Sequence, residues 1–283
     1  MEPERSFHMI RINNKEVDIG HFPDGTLLLK ENMTDAAGNS AEEIEIRWNY
    51  ENNEELLAVY FLTKHIQAAG FCNIVLNMPY IPNARQDRVG SAEDVFTLKY
   101  FAGMINSLAF REVRVLDAHS NVSLALIDRI RQDTPQKYIE KAILEIEKST
   151  GRKPLMFYPD EGAGKRYSGM ITLPYCFGIK KRDWNTGEIR ALSVAGEIGL
   201  VEGSDVLIVD DICSYGGTFI RSAEALAALG AENIYLFASH CEDSALKGKL
   251  CACSHIKQIY TTDSIFRERG NAKIKVFELE NER

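Results

Sequence analysis

The sequence predicts an α/β fold in two similar halves, each a mainly parallel sheet flanked by helices. Three observations carry this. Apolar, β-branched runs such as Asn73–Met78, Val113–Leu116 and Val206–Val209 alternate with stretches of helical spacing such as Asn53–Ala69. The pattern Gly70-x-x-Asn73-Ile74 returns as Gly230-x-x-Asn233-Ile234, each time closing a helix and opening a strand. Val113–Ser120 and Val206–Ser214 both end a strand in acidic residues. In such a topology ligands bind at the carboxyl ends of the strands.

Composition bounds the rest. The chain has 283 residues, 45% of them hydrophobic, enough for one large or two modest cores. A net charge of −8 argues against a general polyanion surface, so nucleic acid is not an expected partner. Met1–Arg5 is polar, and no apolar run nears membrane-spanning length, so the expected setting is the cytoplasm without a membrane partner. The 6 cysteines form no Cys-x-x-Cys pair, and Cys251–Ala252–Cys253 reads as two free thiols in a reducing compartment.

Taken in order, residues 7–12, 15–19 and 26–30 read as short strands, the last two joined by the turn Phe22–Pro23–Asp24–Gly25. Residues 41–48 alternate in polarity and predict an edge strand. A helix over 53–69 follows, then the strand 73–78, halted by Pro79. Two prolines then fix an extended entry to Arg85–Gln86–Asp87–Arg88. Arginine presents a rigid fork to phosphate and a plane to a base, while the amide and carboxylate suit purine edges or ribose; a solvated charged turn fits the composition equally. A helix is expected over 92–109. The strand 113–116 ends at Asp117–Ala118–His119–Ser120, where His119 suits a metal, a nucleotide or simply a polar cap. Residues 121–149 read as mostly helical. The polar stretch Thr150–Pro154 marks the expected domain boundary, giving domains 1–150 and 151–283.

The second half opens with the strand 155–158, which runs into Asp160–Glu161–Gly162–Ala163–Gly164–Lys165–Arg166. An acid pair, two glycines and two bases suit a diphosphate loop, or a Gly-rich turn with solvated ends. The strand 172–179 leads to a basic segment, Lys180–Gly187, that suits a closing loop or a basic surface turn. Then comes the stretch around which the half is organised. A buried strand, Val206–Val209, ends at Asp210 and Asp211; Ser214, Tyr215, Gly216, Gly217 and Thr218 then open a helix. A helix N-terminus offers unpaired N–H donors and the positive end of a dipole, which suits a phosphate. The carboxylates before it suit sugar hydroxyls, so the stretch reads as a sugar-phosphate cradle; the alternative is a plain strand–turn–helix corner capped by Ser214 or Thr218. Strands are further expected at 233–238, 261–265 and 274–277.

The cradle resembles the PRPP-binding signature shared by type I phosphoribosyltransferases and PRPP synthetases. Pro79-Tyr-x-Pro-x-Ala-Arg-Gln-Asp-Arg88 is close to the ATP-binding loop of PRPP synthetases, and Pro159-Asp-x-Gly-x-x-Lys-Arg166 to their pyrophosphate loop. Lys180-x-Arg182 matches their catalytic loop. By these motifs the chain is similar to the ribose-phosphate pyrophosphokinases. That resemblance implies tandem phosphoribosyltransferase-like domains, dimers assembled into larger oligomers, and transfer of the diphosphate of ATP to the anomeric hydroxyl of ribose 5-phosphate with Mg²⁺. It further implies that Phe22, Asp24, Arg85, Gln86, Asp87, Arg88 and His119 contact ATP, and that His119 and Asp160 hold Mg²⁺. Gly162, Gly164, Lys165 and Arg166 would form the diphosphate loop, and Lys180 and Arg182 would stabilise the transition state. Asp210 and Asp211 would take the ribose hydroxyls, and Ser214–Thr218 the 5′-phosphate.

The chain also departs from the family pattern. Ser214–Tyr215 replaces the usual Asp-Thr, putting an aromatic ring in the cradle. Thr26 stands where a glutamate is common, and the chain ends soon after Ile265. Some divergent members use ADP-ribose, whose second adenine could stack on Tyr215 or Trp184. A phosphoribosyltransferase using PRPP and a catalytically silent regulatory subunit are the other classes the motifs admit.

Overall fold

In the computed structural model, residues 10–32, 43–182 and 189–280 are described, with 180–182 and 189–192 described by their backbone. The chain forms two compact units, Met1–Asp133 and Thr134–Arg283.

The first unit carries a sheet of order β2-β1-β5-β6-β7-β8. Its strands are β1 (Ile10–Ile12), β2 (Lys15–Glu16), β5 (Ile44–Trp48), β6 (Ile74–Asn77), β7 (Glu112–Leu116) and β8 (Ile130–Asp133). β5 through β8 run parallel, and β1 and β2 add an antiparallel margin. β5 is therefore interior, not the edge strand its alternation predicts. Ile44, Ile46 and Trp48 face the core, and β1 covers its outer side. A separate hairpin pairs β3 (Ile19–His21) with β4 (Leu27–Leu29) across the expected turn at Phe22–Gly25.

Helix α1 (Glu54–Ala68) agrees with expectation, and Gly70, at φ +93°, leaves it. The second helix, α2 (Thr97–Ser107), starts later than the predicted residue 92. Asp94 accepts from the amides of Gly90 and Ser91 at 2.8 and 2.7 Å, and this local turn displaces the first helical turn. The expected long helix over 121–149 is broken into α3 (Asn121–Leu126), the edge strand β8 and α4 (Gln136–Thr150). Parallel pairing with β7 overrides the helical spacing of Ile127 and Ile130.

The second unit carries a sheet of order β11-β10-β9-β12-β13-β14-β15. The strands are β9 (Leu155–Tyr158), β10 (Tyr175–Arg182), β11 (Ile189–Gly196), β12 (Asp205–Cys213), β13 (Asn233–Cys241), β14 (Ile256–Thr262) and β15 (Ile274–Phe277). All neighbours are parallel except β10 and β11. Its helices are α5 (Glu161–Tyr167), α6 (Gly217–Ala228) and the short α7 (Ser244–Lys247), together with α4. α4 buries Tyr138, Ile139, Ala142, Ile143 and Ile146, and lies against β12, β13 and β14. The division between units thus falls between Asp133 and Thr134, ahead of the polar Thr150–Pro154 stretch, because the apolar face of α4 belongs to the second core.

Lys180–Arg182 continue β10 and pair with β11 rather than opening a loop. The rest of that segment, including Trp184, lies outside the described residues, as do the side chains of Lys180 and Arg182. No helix among the described residues is long and apolar enough to cross a membrane. All 6 cysteines are free thiols.

Candidate functional site

In the second unit, two neighbouring parallel strands deliver carboxylates to one end of the sheet. Phe157 of β9 stands in register with Ile208 of β12, so Asp160 follows three residues and Asp210 two residues beyond that pair. Asp160 is extended and caps α5, its Oδ1 accepting from the Ala163 amide at 3.0 Å. The expected diphosphate loop is therefore a short helix that begins at this cap. A Cβ on Gly162 would come within 3.2 Å of Asp160 Oδ1, so glycine leaves that carboxylate room. Gly164 lies over Tyr158, where a Cβ would make only ordinary contact at 3.9 Å. The two bases of the segment part company. Lys165 pairs with Glu161 one turn back at 2.9 Å, out in solvent, whereas Arg166 turns inward to Asp211 at 3.6 Å and lies over the Tyr167 ring.

β12 is longer than its apolar run suggests. Asp210 and Asp211 lie within the strand, which continues to Cys213 because Ile212 and Cys213 pair with His240 and Cys241 of β13. The Asp211 amide donates to Asp210 Oδ1 at 3.0 Å. Burial raises the Asp210 carboxyl well above the ordinary carboxylate range, and the charges of Asp211 and Asp160 push it further. A group so placed gains from a cation or from hydroxyl donors.

Beyond Ser214 the chain turns into α6. Gly216 takes a left-handed φ of +81° at the N-cap, and no side chain caps the helix. The first helical bond is Ile220 N–H to Gly216 C=O at 3.0 Å, so the amides of Gly217, Thr218 and Phe219 precede the helical ladder. Around Gly217 a Cβ would meet nothing within 4 Å. The helix start is thus open, donor-rich and positive, and two carboxyl groups stand directly before it. Tyr215 is 64% exposed, and its backbone is seated on Gly248.

The residues assigned to a nucleotide lie in the first unit. Met78 N–H donates to Arg114 C=O and Leu116 N–H to Pro79 C=O, which ties the entry of the Arg85 loop to β7. Ile81, Pro82 and Ala84 are buried anchors, and Arg85, Gln86 and Arg88 are exposed. The Gln86 side chain is already engaged, accepting from the Thr97 hydroxyl at 2.8 Å at the start of α2. Arg88 lies 3.8 Å from Asp87. His119 is half-buried between β7 and α3, at the strand end where it was expected. Asp24 serves its own turn: it accepts from the Thr26 amide and hydroxyl at 3.0 and 2.7 Å, which holds its carboxyl below the ordinary range. Phe22 projects beside it, half exposed. His21 is paired with Glu54, tying this hairpin to α1.

Among the described residues no three His, Cys, Asp or Glu side chains are arranged to hold a metal by themselves. Mg²⁺ prefers hard oxygens and commonly binds through one or two carboxylates, waters and the phosphates of a substrate. Asp160, with Asp210 and Asp211 near enough to act on each other's charge, fits such a cation.

Sequence reasoning missed Leu250 and Gly248, which pack behind the cradle; they stand far from its motif in sequence and nothing local marks them. It also missed that Arg166 pairs with Asp211, a contact between two separate motifs.

Residues 169–254 match the phosphoribosyl transferase domain family. The ribose-phosphate pyrophosphokinase of Pyrococcus abyssi is 32% identical over 244 residues, 85% of this chain and 80% of that protein. Ribose-phosphate pyrophosphokinase 2 of Archaeoglobus fulgidus is 29% identical, over 91% of this chain and 87% of its own. The crystal structure of the phosphoribosylpyrophosphate synthetase of Mycobacterium smegmatis superposes with a TM-score of 0.73 at 18% identity, covering 93% of this chain and 85% of that one, so the fold is shared. With the phosphoribosyl transferase domain matched in the second unit and a 32% identical relative covering most of both chains, the chain belongs to the ribose-phosphate pyrophosphokinase family.

Proposed function

We propose that this protein transfers the β,γ-diphosphate of ATP to the anomeric hydroxyl of ribose 5-phosphate, giving PRPP and AMP. The observation that carries the reading is the uncapped, glycine-opened start of α6 directly after Asp210 and Asp211. It offers amide donors for a 5′-phosphate and carboxylates for the sugar hydroxyls that accompany it.

In this reading Ser214, Gly216, Gly217 and Thr218 hold the phosphate, and Asp210 and Asp211 hold the ribose hydroxyls. Arg85, Gln86, Asp87, Arg88, Phe22 and Asp24 receive ATP. Asp160 would help to hold Mg²⁺, a role the family resemblance also gives to His119, and the cation would neutralise charge on the phosphate oxygens. The sugar oxygen forms a bond to the β-phosphorus as the bond from that phosphorus to the oxygen of AMP breaks. Lys180 and Arg182 balance the charge that moves onto the leaving AMP. Arg166 holds Asp211 in place. The six free thiols accord with action in a reducing cytoplasm, and the family pattern implies an assembly of dimers, which sedimentation would reveal.

A second acceptor is favoured by one observation. The exposed Tyr215 ring beside an open cradle leaves room for a sugar whose 5′-phosphate is esterified, as in ADP-ribose. Incubation of the protein with ATP, Mg²⁺ and each sugar, with products resolved by mass, tests both. AMP with PRPP supports the main reading, and AMP only with ADP-ribose supports the second. Consumption of PRPP with a free base, and no AMP from either sugar, would indicate a phosphoribosyltransferase. No turnover of any of these would indicate a silent relative.

A further inference from the structure

The connection between β13 and β14 passes behind the cradle, and two of its residues leave no slack there. A Cβ on Gly216 would stand 2.7 Å from Leu250 Cβ and 2.8 Å from both its Cδ atoms. Leu250 is fully buried. A Cβ on Gly248 would stand 2.7 Å from the Tyr215 carbonyl oxygen. The left-handed turn that opens α6 is therefore clamped between the side chain of Leu250 and the backbone of Gly248. The connection is itself pinned. Cys253 N–H donates to Leu250 C=O at 3.1 Å, closing a turn. The ammonium of Lys273, on the chain just before β15, donates to the carbonyls of Cys251 at 2.9 Å and Cys253 at 2.5 Å.

We infer that residues 244–253 form the floor of the cradle, and that Lys273 is a positioning residue for acceptor binding. It acts by holding Leu250 and Gly248 against the Tyr215–Gly216 turn. The inference deepens the proposed function and rests on its assignment of the sugar phosphate to this turn. A phosphate held by amides is sensitive to small displacements of those amides, because each hydrogen bond weakens steeply with angle. Charge at Lys273 is not required at the ligand. What matters is that one side chain donates to two carbonyls of the floor, so the carbon stem alone cannot replace it.

The test uses the full chain, with Lys273→Met, Lys273→Arg, Gly216→Ala and Leu250→Ala. Three readouts are needed: ribose 5-phosphate affinity by calorimetry, KM for each substrate, and amide hydrogen exchange without ligand at Ile220 and Cys253, which donate to the Gly216 and Leu250 carbonyls. Lys273→Met should raise Kd and KM for ribose 5-phosphate about 10-fold or more while the KM for ATP stays put. It should also speed exchange at the Ile220 and Cys253 amides. Lys273→Arg should restore most of both. Gly216→Ala should abolish acceptor binding, since its Cβ would meet Leu250 Cβ at 2.7 Å at a left-handed φ, whereas Leu250→Ala, which empties the space of the Cδ atoms, should loosen the turn and speed exchange as Lys273→Met does.

Unchanged acceptor affinity and exchange in Lys273→Met would overturn the inference, as would unchanged exchange in Leu250→Ala. Failure of the unaltered protein to bind ribose 5-phosphate would instead count against the proposed function. Exchange would still decide the floor in that case, because it is read without ligand.

Discussion

Gly217 separates the needs of the fold from those of the ligand. Its surroundings are open, and it does not require a left-handed φ, so alanine fits the helix start. Gly217→Ala should gain about 0.4–1 kcal/mol of stability by restricting the unfolded chain. Yet the methyl group stands where a phosphate would approach, so the KM for the acceptor should rise at least ~10-fold. Thermal melts and steady-state kinetics together check this. Asp210 makes a related case. Its raised proton affinity means that the folded state holds that proton more tightly than the unfolded chain. Stability therefore falls as pH climbs from the ordinary carboxylate range, near 3.8, through the raised value. Asp210→Asn should melt a few degrees higher than the unaltered protein at neutral pH, lose that advantage in acid, and bind the sugar poorly. Melts across pH would show it. The motif placed Asp210 at a strand end; only the packed strand made it a costly charge.

At the scale of elements, α5 shows how one carboxylate can serve structure and chemistry together. Asp160 caps the helix, so Asp160→Ala should cost about 1 kcal/mol of stability, whereas Asp160→Asn keeps the cap and most of that stability. If the charge is what the reaction uses, both variants should lose about 10²–10³ in kcat, and Asp160→Asn would lose it with its fold intact. Comparison of melts with rates separates the two roles. On β10, Lys180 and Arg182 stand in a strand paired with β11. Lys180→Ala should lower kcat by about 10²–10³ with little change in KM, measured by AMP release. The helical reading of 121–149 and the edge reading of β5 failed for one reason. Periodicity reports which residues seek burial, and here neighbouring strands decided the form burial took.

For the whole molecule, the division at Asp133–Thr134 has a measurable consequence. A piece beginning at residue 134 retains α4 and should unfold cooperatively. One beginning at residue 151 loses the burial of Tyr138, Ile139, Ala142, Ile143 and Ile146, each large side chain being worth about 1.5–3 kcal/mol. That shorter piece should melt far lower or aggregate, as circular dichroism would report. Sequence by itself determined the α/β class, the order of the motifs and the residue types at each strand end. These are local facts: β-branched runs, glycines at turns, and carboxylates and bases at short spacing. The tertiary structure alone decided which carboxylate Arg166 meets, that Lys165 and Tyr215 are exposed to solvent, and that α4 joins the second core. It alone brought Leu250, Gly248 and Lys273 behind the Gly216 turn. Contacts between residues far apart in the chain arise from the closure of the sheet and the packing of its helices, and no local pattern encodes them.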